Sequence, residues 1–261
     1  MIKQVVEFLV AGNPDNATDK DANLTSIDGV VAVMEAYIRS GDPFFGPKPL
    51  SGGLKMHLVH ALSQASRAFV VAHEYAHVIV GHFDDHVMRL EKLATNAGPI
   101  SVIKKDWNQE FEADIIAHKI LLGVDDYAKL DVSVIDRALD LKEVSSSVLT
   151  GALKLKSAIA APFIFLTIDA ILRDVAEAMT GVTNVARSDV THPPARARMD
   201  NLMPSISRLN PKYSGFINFA GILWAHSDEI EERLIRSLVE SPISGSESGH
   251  GNDSGPNFPL L

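Results

Sequence analysis

No cysteine occurs in the 261 residues of this chain. Disulfides, thiol nucleophiles and thiolate metal sites are excluded together, so any metal has to be held by imidazole and carboxylate. Basic charge is scarce as well. With 24 Lys and Arg against 33 Asp and Glu, the formal net charge is -9, and broad attraction to nucleic acid or to an anionic membrane is not expected. A long uninterrupted apolar run is also missing. The most apolar segment, Ala158 to Ile168, contains Pro162 and meets Asp169, well short of the ~18–20 residues that cross a bilayer. Phe216 to Ala225 is shorter still. Both read as buried core segments, and no membrane span is expected. Near the start, Glu7 interrupts a short apolar stretch and Asn13-Pro14-Asp15-Asn16 follows without a small-residue cleavage site. A secretory leader is therefore not expected, and a cytoplasmic location is. Neither a G-x-S-x-G elbow nor a G-x-x-x-x-G-K phosphate loop is present, and Gly12, Gly52 and Gly53 read as turn glycines.

What is present is enough apolar material for one core, in a mainly helical pattern. Residues 11–26 are polar and read as a loop, and Ile27 to Arg39 carries apolar residues at helical spacing. Lys55 to Gly81 is the strongest long helix, followed by Trp107 to Leu122, which Gly123 stops. Further helices are expected over Asp131–Glu143, over Ser147–Met179 with a break allowed at Pro162, and over Ala195–Leu202 and Phe216–Val239. Within the last of these, Glu229 to Glu240 reads as a surface helix closing the core. The tail from Ser241 is rich in Ser, Gly and Asn and cannot bury enough surface to order itself. The expected organisation is a single domain over residues 1–240 with a disordered tail over 241–261.

The informative residues are His73-Glu74-Tyr75-Ala76-His77. On a helix, positions i and i+4 share a face, so both imidazoles can reach one ion. Glu74 is rotated about 100° away, too far to share that geometry but able to approach a water bound to the same ion. Two imidazoles need a third ligand. Six residues beyond His77 stands Phe83, which rules out one familiar extension of the motif, and His82 is expected to point elsewhere on the helix. The downstream segment Gln109-Glu110-Phe111-Glu112-Ala113-Asp114 supplies a carboxylate instead. Glu110 and Asp114 are i and i+4 and can face the metal together. Glu110 is the candidate third ligand, and Asp114 is placed to accept the other ring N–H of His73. Glu112, on another face, reads as a solvated residue. Tyr75 is expected to pack. His82 and His86, beside Asp84 and Asp85, read as a polar helix end rather than a second cation site, and His118 as a residue without a ligand role.

HExxH followed by E-x-x-A-D on a later helix resembles the glutamate-zincins, and more narrowly the HtpX-like and CAAX-prenyl-protease family of metallopeptidases. Thr191-His192-Pro193-Pro194-Ala195-Arg196-Ala197-Arg198 is similar to the His-Pro segment of that family. The resemblance covers three islands between about Ala68 and Leu202. It implies a mainly α fold: a zincin-like metallopeptidase domain with an HExxH helix, a second glutamate-bearing helix and room for a small β-sheet. It also implies Zn2+ held by His73, His77 and Glu110, with Glu74 as general base. His192 would reach the site to stabilise the oxyanion, and Arg198 would support it. The expected substrate is a protein or peptide, with no nucleic-acid partner. Family members are commonly embedded in membranes, whereas this chain is read without a span. The same islands also resemble the ImmA-like regulatory metallopeptidases. A zinc-stabilised binding or regulatory module without turnover, and a metal-free helical interaction protein, are the readings from other classes.

Overall fold

The Ala-, Leu- and Val-rich stretch that begins at residue 54 forms the long helix on which the molecule is organised. The computed structural model describes residues 1–11, 20–48, 53–82, 89–95, 98–104, 107–140, 145–181, 193–207 and 218–240. His192, His86, Asp84, Asp85, Gly12, Gly52 and the tail from Ser241 lie outside them. The described elements are α1 (Ile2–Ala11), α2 (Lys20–Ser40), α3 (Leu54–Ile79), β1 (Arg89–Thr95), β2 (Gly98–Lys104), α4 (Trp107–Leu122), α5 (Ser133–Asp140), α6 (Ser146–Thr180), α7 (Ala195–Ser207), α8 (Asn218–Ala225) and α9 (Ser227–Glu240). Short 3-10 turns occupy Pro43–Phe45 and Tyr127–Lys129. The fold is mainly α. Its two strands form one antiparallel hairpin, with Arg89 opposite Lys104 and Thr95 opposite Gly98.

Most of the expected helices are present, with four corrections. The segment read as a loop over 11–26 is helical from Lys20, extending α2 backward through polar residues. The helix expected over 131–143 starts at Ser133 and is described as far as Asp140, residues 141–143 lying outside the described ones. The one expected over 216–239 is two helices, α8 and α9, meeting at His226. α6 runs unbroken through Pro162. A proline inside a helix removes the N–H that would bond the carbonyl four residues back, here that of Ala158. The helix nevertheless continues, and every residue from Ser157 to Ile164 on either side of the proline is buried in the core.

α6 is the spine of the core. Ile159, Ile164, Leu166, Ile168 and Ile171 are buried against Val5, Val6 and Leu9 of α1, Val30 and Met34 of α2, Leu62 of α3, Met199 and Leu202 of α7 and Leu234 of α9. Ala158 to Ile168 is buried as expected apart from the half-buried Phe165. Among the described residues α6 is the one helix long and apolar enough to cross a membrane. Of its most apolar window, 78% is buried inside the protein.

A second, smaller cluster positions the site. Phe69 and Ala72 of α3, Ala117 of α4 and Ala161 of α6 meet there. Small side chains let helix axes approach closely, which brings short side chains such as Asp within reach of the neighbouring helix.

Candidate metal centre

Two helices present matching stripes to one another. On α3, Phe69, Ala72, His73, Ala76 and His77 are buried, and on α4, Glu110, Ala113, Asp114, Ala117 and His118 are buried. Each set follows i, i+3, i+4, i+7, i+8, the single face of an amphipathic helix. The unusual feature is the chemistry of those faces. Ionisable side chains are rarely buried unless they are paired or hold a metal, and here four of them, His73, His77, Glu110 and Asp114, lie in contact.

His73 Nε2 and His77 Nε2 are 3.2 Å apart. Glu110 places Oε2 3.2 Å from His73 Nε2 and Oε1 3.2 Å from His77 Nε2. An ion bound tetrahedrally at about 2.0–2.1 Å from its ligands separates those ligands by about 3.3 Å. Each contact is close to that length, although Glu110 reaches the two rings through different oxygens. His73, His77 and Glu110 thus form a buried triangle of side chains, with one ligand atom from each within 4.8 Å of the others, that could bind a metal ion.

Behind this triangle lies a second layer. His73 Nδ1 donates to Asp114 Oδ1 at 2.9 Å. In the neutral ring this leaves Nε2, the atom in the triangle, with its lone pair. Asp114 is in turn gripped from both sides by Arg198, whose Nε donates to Oδ2 at 2.8 Å and Nη2 to Oδ1 at 2.6 Å. Burial pushes the Asp114 carboxyl up, but the hydrogen bonds from Arg198 and His73 outweigh it and hold the group below the usual carboxylate range. For His73, burial pulls the imidazole down, while the hydrogen bonds to Asp114 and Glu110 prevail and raise it. Arg198 is itself buried, and the Asp114 carboxylate overcomes the cost of that burial and keeps it charged.

His77 has a partner of its own. Its Nδ1 lies 2.8 Å from Nδ1 of His82, whose Nε2 is 3.3 Å from Glu112 Oε2. The expectation that His82 points away is thus corrected. The reason is the end of α3. Gly81 adopts φ 71, and the chain closes with His82 N–H on the His77 carbonyl at 3.1 Å and Gly81 N–H on that of Val78 at 3.2 Å. This is a Schellman ending with glycine in the left-handed position, and it folds His82 back over the last turn. A glycine two residues after the helix, followed by histidine, was the sequence signal for this contact.

Glu74 is exposed on the same helix. Tyr75, expected to pack, is 57% exposed, and with Val71, Val78 and Ile79 it makes the solvent face of α3 apolar beside Glu74. A groove of about 1170 Å³ runs along α3 from His57 to Tyr75, walled by Leu121 of α4 and by Leu149 and Leu153 of α6. His118 turns away from the triangle. Its Nδ1 pairs with the Tyr127 hydroxyl at 3.0 Å, and burial pushes its pKa down to about 4.

The structure thus brings His73, His77, Glu110, Asp114 and Arg198 together, leaves Glu74 on the open side of α3, and does not describe His192. No family model matches the chain, and neither a curated protein nor a solved structure matches it.

Proposed function

We propose that this chain is a zinc-dependent metallopeptidase that hydrolyses peptide bonds. The observation that carries the reading is the buried convergence of two imidazoles and one carboxylate, His73, His77 and Glu110, whose ligand atoms lie within 4.8 Å of one another. A His2Glu set without thiolate suits zinc and leaves one ligand position open. Zinc bound there would acidify a water and polarise a carbonyl. The chain's own residues supply the rest. Glu74, exposed and one residue from His73, accepts the proton of the attacking water and hands it to the departing amine. Asp114, fixed by Arg198, holds His73 in the tautomer that offers Nε2. His192 is assigned to the oxyanion on the strength of the family resemblance. The exposed apolar strip of Val71, Tyr75, Val78 and Ile79 suits a polypeptide carrying apolar side chains.

The test is Glu74→Gln in the full chain, assayed with an unfolded polypeptide and analysed for zinc in parallel. The expected result is an unchanged zinc content with hydrolysis lowered at least ~100-fold, the scale of a lost general base. A wild-type protein that holds zinc yet cleaves no unfolded polypeptide would make this a binding centre and end the peptidase reading.

A further inference from the structure

The two imidazoles of the triangle are each backed by a carboxylate, but by different routes. His73 meets Asp114 directly. His77 meets Glu112 through a second histidine. The proton positions along that second route follow from valence. A carboxylate only accepts, so His82 Nε2 donates to Glu112 Oε2. A neutral imidazole has one N–H, so His82 Nδ1 is an acceptor. His77 Nδ1, 2.8 Å away, is therefore the donor, and His77 Nε2 is left with its lone pair toward the triangle.

We propose that His82 and Glu112 are positioning residues that fix the tautomer and ring orientation of His77, and thereby set how tightly the centre holds its metal. This rests on reading His73, His77 and Glu110 as zinc ligands. Outer partners of ligating histidines raise ligand basicity and lock the ring, and their loss typically weakens metal binding about 10- to 100-fold. The geometry is built for that role rather than incidental. The His82 side chain is 7% exposed, while Glu112 is 54% exposed at the rim. The two rings lie 5.0 Å apart between centroids, and the backbone bond from His82 N–H to the His77 carbonyl ties them from the other side.

The experiment has two readouts on the full chain. Histidine-15N long-range spectra of the metal-free wild type report the tautomer of His77, and competition with a chromophoric chelator reports its zinc affinity. The expected spectrum has the proton on Nδ1 of His77. Zinc binding should weaken roughly 10- to 100-fold in His82→Ala and less in Glu112→Ala. It should largely recover in His82→Gln, whose amide oxygen can accept the same N–H. A His77 protonated on Nε2 would overturn the proposal even if every variant misfolded. So would His82→Ala holding zinc as tightly as wild type. A wild type that binds no zinc at all would instead strike at the metal centre itself, before any variant is compared. A purely structural His82 would lower the melting temperature in chelator and leave the zinc affinity of the folded fraction unchanged.

Discussion

Arg198 and Asp114 face each other where water does not reach, at 4% and 0% exposure. Two charges are taken out of solvent there, so removing one leaves the other uncompensated, at a typical cost of about 3–5 kcal/mol. Arg198→Met should therefore lower unfolding free energy by roughly 3 kcal/mol or more, measured by denaturant titration. Pairing it with Asp114→Leu should restore much of the stability while leaving zinc binding weak, because His73 has then lost its orienting acceptor. His118 gives a prediction in pH. Its pKa falls from 6.5 to about 4 on burial, so the unfolded chain binds the proton more readily than the folded one. Stability from this group is fully present above about pH 6.5, and it is lost as pH falls toward 4. The difference amounts to about 3 kcal/mol at the acid end. His73 is raised and acts in the opposite sense, losing its contribution as pH rises. His118→Gln should flatten the wild-type decline between pH 6.5 and 4, and an unchanged slope would show that His118 is not its source.

The elements explain why these residues meet. Ala72 and Ala76 on α3 face Ala113 and Ala117 on α4 among the ionisable groups, and their small size sets the helix separation. Ala117→Leu forces volume into that seam. It should destabilise by about 1–3 kcal/mol and reduce zinc retention as well, as equilibrium dialysis of the folded variant would show. A loss of stability with full zinc retention would mean the seam does not govern the site. At this scale sequence reading succeeded where stops were sharp. Trp107–Leu122 was bounded correctly because Gly123 takes φ 67 immediately after it. It failed where local preference was overruled. Asp21, Asn23 and Thr25 are weak helix formers, yet α2 includes them, since the helix they extend packs on α1 and α9. Pro162, where a break was allowed, does not interrupt α6, whose residues on both sides of it are buried in the core. The His73–His77 spacing and the Glu110–Asp114 pair were legible because helical periodicity alone brings each pair to one face. His82 was not, because the helix ends at Ile79 and periodicity no longer says where the next side chain goes.

For the whole molecule, the central feature is that ionisable groups from α3, α4 and α7 converge beside a core otherwise built on α6. If His73, His77 and Glu110 hold a metal as proposed, its binding and the folding of the chain are one equilibrium. An ion that binds only the folded chain stabilises it by about 2.7 kcal/mol at a free concentration 100 times its dissociation constant, and a chelator should remove that increment. The most direct measurement is the zinc content of the purified full chain by elemental analysis, with Glu110→Ala prepared alongside. The account predicts about one zinc per wild-type chain and a strongly reduced content in the variant. A wild type without zinc after incubation with the metal, or a Glu110→Ala protein that keeps it in full, would contradict the three-ligand centre.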